Sequence, residues 1–297
     1  MDKLQRMALF VRVVERGSFT AAANDLTLAR STATEALKRL ESELDVRLLE
    51  RSTRHVRTTL DGDIYYQKCK AILADVEEAE ASFSDPEPRG VLRIDAHPYL
   101  TRHFLVPELP AFLARYPRLT INIGQGDRYV DLVREGVDCV LRAGELSDSD
   151  LVSRRLAFIP EITLASPDYL SRHGIPGTPD ELDGHEMVGF FSSRTDDVLP
   201  LEFTSDNETK EVRLPCRVTA NNSNTMVELA KFGFGLIQAP RYRFSEDIAE
   251  GRLVEILSDF PPSPLPLYAV FPHRHNASLR LRVFLDWVTE IFGRAKL

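Results

Sequence analysis

Twelve residues, Leu48-Leu49-Glu50-Arg51-Ser52-Thr53-Arg54-His55-Val56-Arg57-Thr58-Thr59, hold three arginines, a histidine and several hydroxyls between β-prone flanks. The chemistry that suits them is phosphate binding. A guanidinium donates two parallel hydrogen bonds to a phosphate, a Ser or Thr hydroxyl donates a short one, and a hairpin would hold them together. Earlier in the chain, Arg30, Ser31, Thr32, Thr34, Glu35 and Lys38 combine short hydroxyls with long charged side chains, a set able to reach base edges as well as phosphates. Charge is divided to match. The first sixty residues carry eleven Lys or Arg against eight Asp or Glu, and the remainder carries 26 against 37, so a head of +3 precedes a body of −11 in a chain of net −8. Such asymmetry is expected of a chain whose front end meets nucleic acid, although +3 over sixty residues also occurs in proteins that never touch DNA.

These residues need elements to position them. Leu4, Met7, Ala8, Phe10, Val11 and Val14 recur at helical spacing, and Gly17 is a natural stop. Ser18 can cap a second, short helix through Ala21, Ala22, Ala23 and Leu26, whose small side chains let two helices cross closely. A third helix runs from Arg30 or Ser31 to about Leu44, with Ala33, Leu37, Leu40 and Leu44 on one buried face. Its other face then presents Arg30, Ser31, Thr32, Thr34, Glu35 and Lys38, either as the reading helix of a helix-turn-helix or as the solvated side of a small three-helix cap. Glu35 has a third role open to it, as a partner of Arg39 one turn on. From Leu60 to Phe83, Tyr65, Cys69, Ile72, Val76, Ala79 and Phe83 step by four and three, an a/d seam that either the same helix of a second copy or the chain's own head must cover. Ser84 to Gly90, with two prolines, ends that helix as a hinge.

Beyond residue 90 strand and helix patterns alternate, which predicts an α/β unit with a mostly parallel sheet and helices on both faces. A second unit of similar texture spans about Leu164 to Leu265, and the segment from Leu267 with the helix around Val283 to Phe292 returns to the first. Two lobes crossed twice by the chain make a hinged cleft. Ligands of open α/β sheets sit beyond the C-terminal ends of strands and at helix N-termini, which selects His97, Pro98, Tyr99, Leu100 and Thr101, then Gln125 between Gly124 and Gly126, then Arg142 and Gly144, and finally Asn221, Asn222 and Ser223. Arg142 is a candidate charge clamp or one side of a structural salt bridge. Phe190 and Phe191 could wall a pocket or belong to the core.

Other classes fall away. At 297 residues with 43% hydrophobic content, the chain has material for two folding units without disulfide staples. Cys69, Cys139 and Cys216 are odd in number and far apart, so packed or surface thiols are expected, with a Cys139–Cys216 redox pair as the alternative. No leader pattern and no spanning segment is apparent, so a cytoplasmic location is expected. There is no G-x-S-x-G, P-loop or H-E-x-x-H, Gly124-x-Gly126 lacks a third glycine, and His273-x-His275 lacks further ligands; the expectation is no enzyme, no metal and no cofactor.

The long ordered motif Phe10-Val11-Arg12-Val13-Val14-Glu15-Arg16-Gly17-Ser18-Phe19-Thr20-Ala21-Ala22-Ala23, followed by Leu37-Lys38-Arg39-Leu40-Glu41 and Leu48-Leu49-Glu50-Arg51-Ser52-Thr53-Arg54, resembles the winged helix-turn-helix of LysR-type transcriptional regulators. The resemblance implies DNA contacts from Arg30, Ser31, Thr34, Glu35 and Lys38 on the reading helix and from Arg51, Ser52, Arg54 and Arg57 around the wing. Arg30 stands where many relatives carry glutamine, and Glu35 where a basic or polar residue is common. The resemblance continues through Val137-Asp138-Cys139-Val140-Leu141-Arg142-Ala143-Gly144, Leu151 to Leu156, Ala165 to Leu170 and Gly233-Phe234-Gly235-Leu236, which look like the family's effector domain, similar in fold to type 2 periplasmic binding proteins. His97 and Tyr99 replace the proline and small hydroxyl residue often found there, which admits a bulkier or aromatic effector.

The implied layout is an α/β chain with a winged helix-turn-helix over 1–60, a dimerising linker helix and hinge over 61–90, and an effector domain over 91–297. Within that domain, lobe I comprises 91–163 and 267–297, and lobe II comprises 164–266. The implied function is an effector-responsive regulator. Its partners would be double-stranded DNA, further copies of itself as a homodimer or homotetramer, a small-molecule effector and RNA polymerase, with no membrane.

Overall fold

The structure, a computed structural model, describes all residues other than 52–55, 82–86, 129, 145–150, 207, 273–277 and 296. The head begins with α1 (Lys3–Arg16), α2 (Phe19–Asp25) and α3 (Arg30–Leu44), continues into a wing of β1 (Leu49–Arg51) and β2 (Val56–Thr58), and leads into α4 (Leu60–Ala81). Local chemistry fixes each boundary. Asp2 accepts a hydrogen bond from the Gln5 amide at 2.8 Å while Gln5 reaches back to the Asp2 amide, and Gly17 closes α1 at φ 58°. Ser18 accepts from Ala21 N to start α2. Leu9, Phe10 and Val13 of α1, Ala22 and Ala23 of α2, and Ala33, Leu37 and Leu40 of α3 bury together with Leu48. The α3 stripe thereby fixes which side of that helix faces water.

The wing is tied down from behind. Glu41 of α3 accepts from the Leu48 and Leu49 amides at 2.9 and 3.1 Å, and the Thr59 hydroxyl donates to the Arg47 carbonyl at 2.7 Å while accepting from Gly62 N at 2.9 Å. Gly62 is where α4 crosses Leu48 most closely, because a Cβ there would lie 2.0 Å from the Leu48 carbonyl oxygen. The seam expected along α4 is divided. Cys69 is fully buried in the head's own core, Tyr65 packs there with its ring 5.5 Å from Phe10, and Leu73 joins them. Cys69 is therefore taken up by the chain's own head, and Tyr65 packs partly against it, because the first turns of α4 lie on the apolar surface of α1. Ile72, at 37% exposed, and the half-buried Val76 stay outside that core; Phe83 and the Ala79 side chain lie outside the described residues.

Lobe I contains β3 (Gly90–Ala96), α5 (Pro98–Leu100), a π-helical turn over Thr101–Leu105, α6 (Val106–Arg115), β4 (Leu119–Gln125), α7 (Leu132–Glu135), β5 (Cys139–Ala143) and β6 (Leu151–Ile159). Lobe II follows with β7 (Glu161–Ala165), α8 (Pro167–His173), β8 (Gly189–Ser192), β9 (Asp197–Val198), β10 (Leu201–Ser205), β11 (Glu208–Val212), β12 (Thr219–Ala220), α9 (Ser223–Lys231), β13 (Ile237–Pro240), α10 (Ser245–Ala249) and β14 (Val254–Ile256). The chain then returns to lobe I as β15 (Leu265–Pro272) and α11 (Leu279–Arg294).

The main sheet has the order β4-β3-β5-β15-β6 and is mixed rather than mostly parallel. The β-α-β alternation accounts for the parallel set β4-β3-β5, whereas β15 returns from lobe II running opposite and pairs antiparallel with both β5 and β6. The principal sheet of lobe II, β13-β7-β14, is antiparallel throughout. The first crossing between lobes is Pro160, a few residues earlier than the expected border. The second runs through Pro264, since Ser263 still bonds to Thr209 of lobe II and Leu265 already pairs with Ile159 of β6. Leu92, Ile94, Leu141, Leu267, Phe271, Phe284 and Val288 form the lobe I core together with Cys139. Cys216 packs against a separate lobe II cluster around Tyr169 and Phe203. With Cys69 in the head, the three free thiols occupy three different cores, which removes the Cys139–Cys216 pair.

Candidate nucleic-acid interface and effector cleft

On the head, the buried stripe of α3 leaves Arg30, Ser31, Thr32, Glu35 and Lys38 exposed on the opposite side. None of the five side chains has a hydrogen-bond or ionic partner among the described residues. The helix starts at Ala29, whose side chain cannot cap, so the first-turn amides beside Arg30 and Ser31 keep their donors for an outside acceptor. Thr34 differs: it is half-buried and its hydroxyl donates to the Arg30 carbonyl at 2.9 Å. Arg39, the alternative partner of Glu35, reaches forward to Glu43 at 3.0 Å instead. In the wing Arg57 is exposed on β2 opposite Glu50, and the β1 backbone includes Arg51. Ser52, Arg54 and the Arg51 side chain lie outside the described residues.

In the body, the predicted cleft residues come together at one place and scatter at others. His97 follows β3 and caps α5: its Nδ1 accepts from the Tyr99 amide at 3.2 Å, which leaves the ring proton on Nε2. That Nε2 lies 2.8 Å from Ser223 Oγ and 2.9 Å from Oδ1 of Asp127, so it bridges from lobe I to the start of α9 in lobe II. Asn222 caps α9 by accepting from the Asn224 and Thr225 amides, both at 3.1 Å, and its Nδ2 donates to Asp127 Oδ2, also at 3.1 Å. The Ser223 amide donates to the same oxygen at 3.0 Å, with the Ser223 hydroxyl 3.4 Å away. Burial alone would raise the Asp127 carboxyl, but the hydrogen bonds from His97 and Ser223 outweigh it and hold the group below the usual carboxylate range. Beside this cluster Asn221 and Asn222 line a recess with Phe191, Thr219, Ala220 and Thr225. A second contact spans the lobes. The Arg243 guanidinium sits 3.9 Å from the Tyr99 ring centroid and donates to Asn224 Oδ1 at 3.2 Å.

Other expected cleft residues are placed differently. Leu100, the last residue of α5, is in the lobe I core, and Thr101, the first of the π-helical turn, is buried with its hydroxyl donating to the His97 carbonyl. Phe190 packs against the lobe II core and its neighbour Phe191 faces the recess, since successive strand residues point to opposite faces. Arg142 donates to the Arg128 carbonyl at 2.8 Å and lies 4.0 Å from Asp95, whose buried carboxyl is raised by desolvation and only partly drawn back by Arg142 and Arg128. That is the structural reading of Arg142. Gly144 turns the chain at φ 103° and donates to the Pro266 carbonyl, Gln125 is exposed at the end of β4, and Pro98 is half-buried at the start of α5. Sequence reasoning missed Asp127, Arg243 and the choice of Phe191. For Asp127 the available signal was position, one residue beyond Gly124-Gln125-Gly126.

Known proteins resemble both halves of the chain. Residues 4–63 match the bacterial regulatory helix-turn-helix protein of the lysR family, and residues 85–293 match the LysR substrate binding domain. The chain is 35% identical over 292 residues to the HTH-type transcriptional regulator CrgA of Neisseria meningitidis serogroup C, covering 97% of each. It is 34% identical over 295 residues to the HTH-type transcriptional activator AaeR of Escherichia coli K12, covering 98% of this chain and 94% of that one. The solved structure of Neisseria meningitidis CrgA superposes with a TM-score of 0.59 at 33% identity, over 98% of this chain and 99% of that one.

Proposed function

The chain belongs to the LysR family of DNA-binding transcriptional regulators with a C-terminal effector-binding domain, and from that premise we propose how its own residues divide the work. The observation that carries the proposal is the exposed polar face of α3, where Arg30, Ser31, Thr32, Glu35 and Lys38 have no side-chain partner among the described residues. Inserted into a major groove, its first turn brings Arg30 and Ser31 to base edges and directs free amides at a phosphate. Arg30 matches the bidentate acceptor pair of guanine, Glu35 accepts from the cytosine amino group, and the Thr34 methyl suits a thymine methyl. Lys38 and Arg57 hold backbone phosphates on either side, as do Arg51, Ser52 and Arg54 around the wing.

Family members form oligomers, and of the expected α4 seam Ile72 and Val76 are the described residues left for a second copy, since Tyr65 and Cys69 pack on the head. Two copies would present two α3 helices to half-sites about one helical turn apart. The effector enters between the lobes beside Tyr99, Phe191, Asn221 and Thr225, and it acts by favouring one lobe arrangement over another, which changes the spacing of the DNA-reading heads. RNA polymerase is then a partner at promoters where this spacing activates. Catalysis has no place in this account.

The test is a footprint of the purified protein on DNA upstream of its own gene and the divergent neighbour, repeated across salt. Protection over successive helical turns that weakens steeply with salt is the expected result. A folded protein that protects nothing at low salt overturns the assignment of α3.

A further inference from the structure

We infer that Asp127 is a built-in latch that joins the two lobes across the effector cleft, by placing the chain's own carboxylate in the donor set at the start of α9. The inference rests on the cleft being the effector site. Its geometry spans the lobes: Asp127 leaves lobe I just after β4, its side chain is 7% exposed, and each carboxylate oxygen is engaged. Oδ1 faces His97 Nε2 at 2.9 Å, and Oδ2 accepts from Asn222 Nδ2 and the Ser223 amide at 3.1 and 3.0 Å.

These donors form a complete carboxylate receptor. Two come from the first residues of α9 and its cap, where the helix favours negative charge, and the third is an imidazole whose Tyr99 contact orients its proton outward. A carboxylate buried this way would be costly if it were unpaired, so the lobes lose these bonds together when they separate. A sequestered loop carboxylate of this kind supplies no catalytic chemistry. Its effect is on the lobe equilibrium: an effector acts either by displacing Asp127 from its donors or by adding contacts that only the latched cleft offers. The recess lined by Phe191, Thr219 and Thr225 abuts the latch through Asn222, so a molecule seated there touches the residue that holds Asp127.

Hydrogen exchange on the full-length protein tests the latch. Asp127→Ala should speed exchange of the Ser223 to Met226 amides by at least about tenfold, the loss of one charge-assisted hydrogen bond, while exchange in β3 and in the head stays as in the wild type. Sodium acetate should slow it again in the variant and leave the wild type unchanged, whereas sodium chloride at equal ionic strength should do neither. Asp127→Asn keeps the shape and one acceptor, and should give a smaller increase if the alanine variant folds poorly. Unchanged exchange at α9 in both variants, a rise spread evenly over the molecule, or no response to acetate overturns the latch. DNA binding by the same variants separates the two readings. Faster exchange at α9 with operator binding equal to wild type upholds the latch and overturns the cleft as the site that controls DNA.

Discussion

The two functional regions solve opposite problems. The polar face of α3 is proposed to read DNA because most of its side chains lack partners among the described residues: Arg30, Ser31, Thr32, Glu35 and Lys38 point away from a side packed by Ala33, Leu37 and Leu40. In the cleft, His97, Asp127, Asn222 and Ser223 bind one another across two lobes. A surface that must meet a large rigid polyanion gains from unpaired donors, since each bond to DNA is then new. A pocket proposed to respond to a small molecule gains from bonds already made, because exchanging them for ligand contacts would shift the balance between lobe arrangements.

The contrast can be broken at several points. Gly62→Ala should have the largest effect, because the new methyl meets a backbone carbonyl and not a flexible side chain; denaturant unfolding should register a loss of about 3 kcal/mol or more in the head, and DNA binding should fall with it. Arg30→Ala should cost about 1 to 3 kcal/mol on the preferred sequence and much less on random DNA. Equal losses on both would convert the residue from a base reader into a phosphate contact. Arg57→Ala should weaken binding to every sequence and reduce the slope of log affinity against log salt by about one, and an unaltered slope removes the contact. The smallest effect concerns pH. Asp127 is held below its ordinary value in the folded protein, so its contribution is fully present above the unfolded carboxylate pKa and is lost as pH falls through the folded value. Acid should therefore destabilise the wild type more than Asp127→Asn, and parallel pH profiles of melting temperature would show that the carboxylate is not engaged in solution.

The head was legible because its information is local. Three-four spacing gave α1 and α3, and Gly17 and Ser18 marked the break between α1 and α2. The seam of α4 was legible as apolar but not as to partner: a four-residue step from Tyr65 to Cys69 suits a second copy and the underside of α1 equally well, and only the three-dimensional packing of Tyr65 against Phe10 and of Cys69 in the head core shows the latter contact. In the body, strand parity decided Phe191 over Phe190, a choice that a shift of one residue reverses. The antiparallel return of β15 leaves no mark on local patterning. Asp127 looks like a solvated loop residue in the sequence, and its partners Asn222 and Ser223 lie 95 and 96 positions away. Nothing short-range could have announced the pairing.

The two crossings between the lobes have a mechanical consequence. Each turns on a proline, Pro160 and Pro264, and the strands that lead to them, β6 and β15, are paired at Ile159 and Leu265. Proline fixes φ, so each crossing residue has one backbone torsion fewer to turn about than another residue would leave it. Two crossings restricted in this way make a stiffer joint than a free linker of the same length, and Pro160→Ala with Pro264→Ala together should soften it.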